Sequence, residues 1–191
     1  MNMKRIIFTL SMLVVAIGLM AQEHLSFKGI PIEGSMTEFC KKLEAKGFTS
    51  LGAENNIEMF TGDFTGREAS VAVASTDDGN DVFSVIVFFE PSEEWNSLVS
   101  TYNYYKDLYT RKYGKPAMSK EKNPASSNGN GLLMWEVYQG SVVWGSTWKA
   151  TGGDIELTIE KGDAMLSGMV MIRYRDSQNV EAKIQKDLED I

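Results

Sequence analysis

The chain offers few side chains able to make or break bonds. It has one His and one Cys in 191 residues. His24 falls near the expected mature N-terminus, where chain ends are poorly ordered unless tied down. A Ser-His-Asp or Cys-His site therefore has no firmly held base. Cys40 lies on the apolar stripe Met36, Phe39, Cys40, Leu43 and reads as a small buried residue; a reactive or intermolecularly paired thiol is the other reading. One His and one Cys do not make a ligand set for zinc. Asp77, Asp78, Asn80 and Asp81 miss the spacing of a calcium loop, and Asp, Asn and Gly are what a hairpin turn needs. Gly129-Asn130-Gly131 and Thr151-Gly152-Gly153 read as turns, with no phosphate-cradling loop or dinucleotide fingerprint. No metal or cofactor is expected.

Carboxylates remain. Asp154, Glu156 and Glu160 alternate along one apolar-polar run, and Glu136 joins them if 132–138 is a strand. Two carboxyls about 5–9 Å apart can act as a glycosidase pair. The competing account is a solvated sheet face of mixed charge, and it is preferred. Four Trp and seven Tyr are enough for a sugar platform, but Trp95, Trp135, Trp144 and Trp148 all fall on expected core faces.

The elements that must position these residues follow from periodicity. Residues 91–116 read as one long helix, with Trp95, Leu98, Val99, Tyr102, Tyr105, Tyr109 and Tyr113 on a single stripe. Ser92 is the expected N-cap, Lys112 sits in the last turn, and Gly114 and Pro116 end the helix. Lys106 is the one charge within the stripe, so it must reach past the rings or meet a carboxylate. An earlier helix starts with the capping box Ser35-Met36-Thr37-Glu38 and ends at Gly47. It is preceded by an extended segment within 22–34 that Pro31 confines to an edge or turn.

Strands are expected at 57–64, 68–76 and 81–90, the last apolar on nearly every residue and so central. Residues 115–131 have no hydrophobic period and read as the longest loop. Four more strands are expected at 132–138, 141–149, 154–161 and 166–175. Threading them as a meander sets Trp135 opposite Trp144, Trp148 opposite Ile155, Leu157 opposite Val170, and Ile155 opposite Ile172. On the other face Lys149 meets Asp154, and Asp154 meets Arg173. The whole predicts an α+β fold of antiparallel meanders with helices packed on one face. Its two helix-plus-meander halves, about 35–90 and 91–175, stand in tandem within one domain at 22–176, and a C-terminal helix follows at 177–191.

Residues 1–21 read as a secretory signal peptide: Lys4 and Arg5, an uncharged and mostly apolar run at 6–20, then Ala21. The run is too short to favour a retained membrane helix. No Cys stands at the cleavage position to carry a lipid. About 170 residues remain, enough for a core without disulfides. The expected location is the periplasm or the exterior, with no stable membrane insertion after signal removal. A net charge of −7 argues against nucleic acid and anionic membrane surfaces.

The segment FKGIPIEGSMTEFCKKLEAKGF, followed by the helix ending in KYGKP, resembles a group of small secreted Bacteroidetes proteins without assigned function. The tandem element order is similar to β-lactamase-inhibitor-like proteins and to small envelope-assembly lipoproteins sharing their half-fold. The motifs carrying these resemblances are structural, so they imply no catalytic residues. The expectation is a non-enzymatic module binding a protein or glycan through an open sheet face at Tyr138, Glu156, Met169, Met171 and Arg173. The alternatives are a carboxylate-dependent glycan hydrolase and a self-associating structural protein of the envelope. The sequence sets no oligomeric state.

Overall fold

A computed structural model describes residues 23–122, 129–189 and 191. The expected signal peptide and part of the expected 115–131 loop lie outside the described residues. Antiparallel strands dominate. A two-residue-per-strand hairpin, β1 (Ser26–Phe27) with β2 (Ile30–Pro31), precedes helix α1 (Met36–Glu44). Ser35 caps α1 by accepting from the Glu38 N–H at 3.3 Å, and Phe39, Cys40 and Leu43 are buried.

Strands β3 (Thr49–Glu54), β4 (Ile57–Phe64), β5 (Arg67–Ser75) and β6 (Val82–Phe88) follow as a meander. Helix α2 (Trp95–Tyr113) leads to β7 (Met118–Lys122), helix α3 (Asn130–Tyr138), β8 (Val143–Ala150), β9 (Gly153–Lys161), β10 (Gly168–Asp176) and helix α4 (Ser177–Glu189). The main sheet has eight strands in the order β3-β4-β5-β6-β10-β9-β8-β7. Each half contributes four, and the last strands of the two halves, β6 and β10, pair antiparallel at the middle. β6 is thus central, as its nearly continuous apolar run predicts, with Val82, Val85 and Val87 fully buried. The helices pack on one side of the sheet.

The core on that side is aromatic. Trp95, Leu98, Tyr102, Tyr105 and Tyr109 of α2 are buried, as the stripe requires. The Tyr105 and Phe89 rings stack at 4.4 Å, and Tyr109 lies 5.4 Å from Trp148. Gly114 ends α2 at φ 84°.

Four expectations are corrected. Residues 132–138 form helix α3, not a strand. Leu, Met, Trp and Glu tolerate helix well, and the buried residues Met134 and Val137 stand three apart, a helical spacing. Trp135 therefore does not face Trp144; it is 48% exposed. Second, Ser92 does not cap α2. Its backbone bridges to Gly168, and the side chain of Asn130 supplies the missing acceptor, taking the Trp95 N–H at 2.8 Å. A cap borrowed from across the fold leaves no local sequence signal. Third, β10 is shifted by two residues, so Leu157 faces Ile172, Ile155 faces Tyr174, and Asp154 faces Arg175. The turn closes between Gly162 and Ser167 rather than across 162–165. A shift of two keeps every side chain on its expected face. Fourth, β3 and β7 were not foreseen; both are edge strands with little apolar content. Trp148 does face Ile155, as threaded.

Candidate functional site

The face of the sheet away from the helices is built by alternation along seven strands. One row runs Met59, Ala72, Ile86, Arg173, Glu156, Thr147, Met118. The next runs Thr61, Ser70, Phe88, Met171, Thr158, Gly145, Lys120. The face has two characters. On β4 to β6 it is uncharged along these rows, with Met59, Ala72, Ile86 and Phe88 beside Thr61 and Ser70. On β10 and β9 it is a charge ladder, with Arg173 3.2 Å from Glu156, Arg175 2.9 Å from Asp154, and Lys149 3.7 Å from Asp154. Cross-strand pairs of this kind fix register and neutralise one another more than they stabilise.

Of the expected binding residues, Glu156, Met169, Met171 and Arg173 share this face. Met169, Glu156 and Arg173 are half-buried, while Met171 is only 7% exposed, with Arg173 Nη2 at 3.9 Å from its sulfur. Tyr138 does not belong with them. It lies on α3, its ring 5.9 Å from Trp135. Helix α3 is on the covered side: a Cβ at Gly168 would stand 2.7 Å from Leu98 and 3.1 Å from Val137. Glu136 leaves with it, so the expected group of four carboxylates is not assembled. Asp154 and Glu156 are both engaged by arginines.

A groove of about 620 Å³ lies at one end of the open face. Met59, Phe88 and Met169 form its floor, and Glu68, Glu90 and Asp163 stand along it. Among the described residues no Lys or Arg lines it, while Arg67 lines the adjoining cavity with Glu68 and Glu90.

The helical side holds a second cavity, about 630 Å³, between α2 and the N-terminal arm 23–29. Tyr105, Tyr109, Tyr113 and Tyr174 line it. Three of these rings are held by hydroxyl bonds, and Tyr113 stacks on Tyr109. The Tyr109 and Tyr174 hydroxyls bond to each other, and Tyr105 bonds to Thr65 Oγ1 at 2.8 Å. Burial pushes all three phenols up, so none ionises near neutral pH. Gly152, at φ 81°, lets the arm cross: a Cβ there would lie 2.1 Å from the Glu23 carbonyl oxygen.

His24 is held in that arm rather than disordered. Its Nδ1 is 3.1 Å from Asp176 Oδ1 and its Nε2 is 3.4 Å from Glu33. Asp176 is fully buried and accepts from the backbone N–H groups of Leu25, Gln178 and Asn179. The aspartate thus caps α4 and ties down the arm. The sequence signal was present, an Asp directly before a helix, but its reach to residue 24 was not.

Lys106 meets a carboxylate, as its place on the stripe demands. It bonds to Glu121 on β7 and to Ser119 Oγ at 3.2 Å. The Tyr102 hydroxyl lies 2.7 Å from Ser146 Oγ and donates to Glu121 at 3.2 Å. Desolvation alone would raise the Glu121 carboxyl, but the bonds from Lys106, Ser119 and Tyr102 prevail and hold it below its ordinary value. An ammonium bound to a carboxylate cannot serve as a base, so this network fastens α2 to β7 and β8.

Cys40 is buried beside Glu58, and burial, then Glu58, pushes its thiol up. Asp78 lies in the β5–β6 turn, where Lys186, then Thr76 and the Asn80 N–H, hold its carboxyl well below the usual range. Among the described residues no three His, Cys, Asp or Glu converge to hold a metal, and no helix is long and apolar enough to cross a membrane. The chain matches no protein-family model, no curated protein and no solved structure.

Proposed function

We propose that the protein is an exported, non-enzymatic interaction module that binds a protein partner through the open face of its sheet. The observation that carries this reading is the contrast along one row: Met59, Ala72 and Ile86 run directly into Arg173 and Glu156. Apolar area at the centre beside satisfied polar groups is the make-up of a protein-binding patch. Methionines adapt to an irregular partner at low cost. A glycan platform needs flat exposed rings. Here the half-buried Phe88 is the aromatic side chain on the strands' open rows, while Trp95 of α2 and Trp148 of β8 are buried between the helices and the sheet. A protein partner is therefore the better fit of the two.

Capture from envelope and culture fractions tests the reading. Met59→Asp with Met169→Asp should abolish enrichment of the partner seen with the wild type. Tyr104→Asp, on the exposed side of α2, should leave it intact. Circular dichroism establishes that both variants are folded. No enriched partner, or equal capture by all three proteins, would overturn the assignment.

A further inference from the structure

The groove at the end of the open face narrows the kind of partner, given that the open face is the binding surface. We infer that it seats a basic, amphipathic stretch of polypeptide, with Lys or Arg stems on Met59, Phe88 and Met169 and their heads at Glu68, Glu90 and Asp163.

Two independent features of the groove meet in one occupant. Its floor is apolar and its volume, about 620 Å³, suits side chains rather than an ion. Its polar side is acidic, with no cation among the described residues that line it. Lys and Arg are the side chains that present a long apolar stem and a charged head together. A cation can also lie over the Phe88 ring.

Arg67 shares an adjoining cavity with the groove's Glu68 and Glu90, and no ion pair joins them among the described residues. Thr61 Oγ1 donates to Glu68 at 3.3 Å, which orients that carboxylate without neutralising it. Arg67, its neighbour in sequence, turns to the helical layer, where its guanidinium lies 5.4 Å from the Tyr104 ring. At the far end of the same face Arg173, Arg175 and Lys149 are taken by Glu156 and Asp154. At that end three cations share two carboxylates, whereas at the groove Glu68, Glu90 and Asp163 form no ion pair among the described residues. The carboxylates do not converge as metal ligands would. Spaced acids over an apolar floor match spaced cations on a chain, and the acidic field would steer such a chain in.

Fluorescence anisotropy with two labelled peptides tests this. One alternates Lys with Val, and the other has Glu in place of each Lys. The Lys peptide should bind, the Glu peptide should not, and affinity should fall on the order of tenfold or more in Glu68→Gln/Glu90→Gln/Asp163→Asn. A control, Glu44→Gln/Glu54→Gln/Glu181→Gln, removes the same charge elsewhere and should bind as the wild type does. Equal binding of both peptides, no binding, or equal losses in the two triple variants would overturn the inference. So would full displacement by spermine at matched charge, because a free polyamine has no amphipathic backbone. If the peptide result is negative while partner capture still depends on Met59 and Met169, the basic-segment inference fails and the open-face reading stands. Loss of both removes the open-face reading itself.

Discussion

The two faces of the eight-stranded sheet solve different problems with the same alternating strands. The covered face is filled with rigid rings whose polar atoms are committed: Trp148 Nε1 donates to the Gly114 carbonyl at 3.1 Å, and Tyr102, Tyr105, Tyr109 and Tyr174 each have a hydroxyl partner. The open face uses Met, Ala and Thr with a ladder of ion pairs. Burial under the helices and these shared bonds hold the rings in place, so the larger residues mark the less available surface. Composition alone would point to the tyrosine-lined cavity; its hydrogen bonds point away from it.

That contrast is broken or sharpened first by core truncation. Trp148→Ala removes a side chain 1% exposed and should cost about 3–5 kcal/mol in denaturant unfolding. Thr147→Val, the adjacent residue on the open face, should stay within about 0.5 kcal/mol. Comparable losses would mean that both faces are core. Next, Gly152→Ala drives a Cβ into the Glu23 carbonyl and should cost about 1–3 kcal/mol in local strain. It should release the arm, so limited proteolysis should cut within 23–29 faster than in the wild type. An unchanged digest would contradict the role given to the glycine.

Third comes pH. The Glu121 carboxyl is held below its ordinary value of 4.5, so its network stabilises the fold above that pH. The contribution is lost as pH falls through the lower folded-state value. Glu121→Gln should cost about 1 kcal/mol at neutral pH, and its stability should fall less steeply than the wild type's below pH 4.5. Parallel acid limbs would show that the network is inert. The smallest effect is expected on the open-face ladder. Arg173→Ala should change stability by no more than about 1 kcal/mol, because the pair it forms with Glu156 is partly solvated.

Periodicity was readable along α1, α2 and β6. The stripe on α2, the Ser35 cap of α1 and the central β6 all follow from local sequence; the return bond from Glu38 expected of a capping box is not among the bonds of the described residues. The open-face residues of β9 and β10 were legible from alternation, and the two-residue shift of β10 spared them because faces repeat every two residues. What escaped depends on distant contacts. The edge strand β7, MSKEK, buries little; it is held by pairing to β8 and by Glu121 meeting Lys106. The stretch LLMWEVY of α3 is apolar without a clear period, and tertiary contacts decide for helix. Tyr138 was placed on the open face by that one misread element. The groove was hidden because Met59, Glu90 and Asp163 come from three separate segments.

Site-specific photo-crosslinking tests the central claim most directly. A photoreactive residue at Ile86 or Met169 should give a discrete crosslinked product in the protein's own compartment, while one at Tyr104 or Leu132 on the helical side should not. Products from Tyr104 or Leu132, with none from Ile86 or Met169, would contradict the account and move the binding surface to the helices.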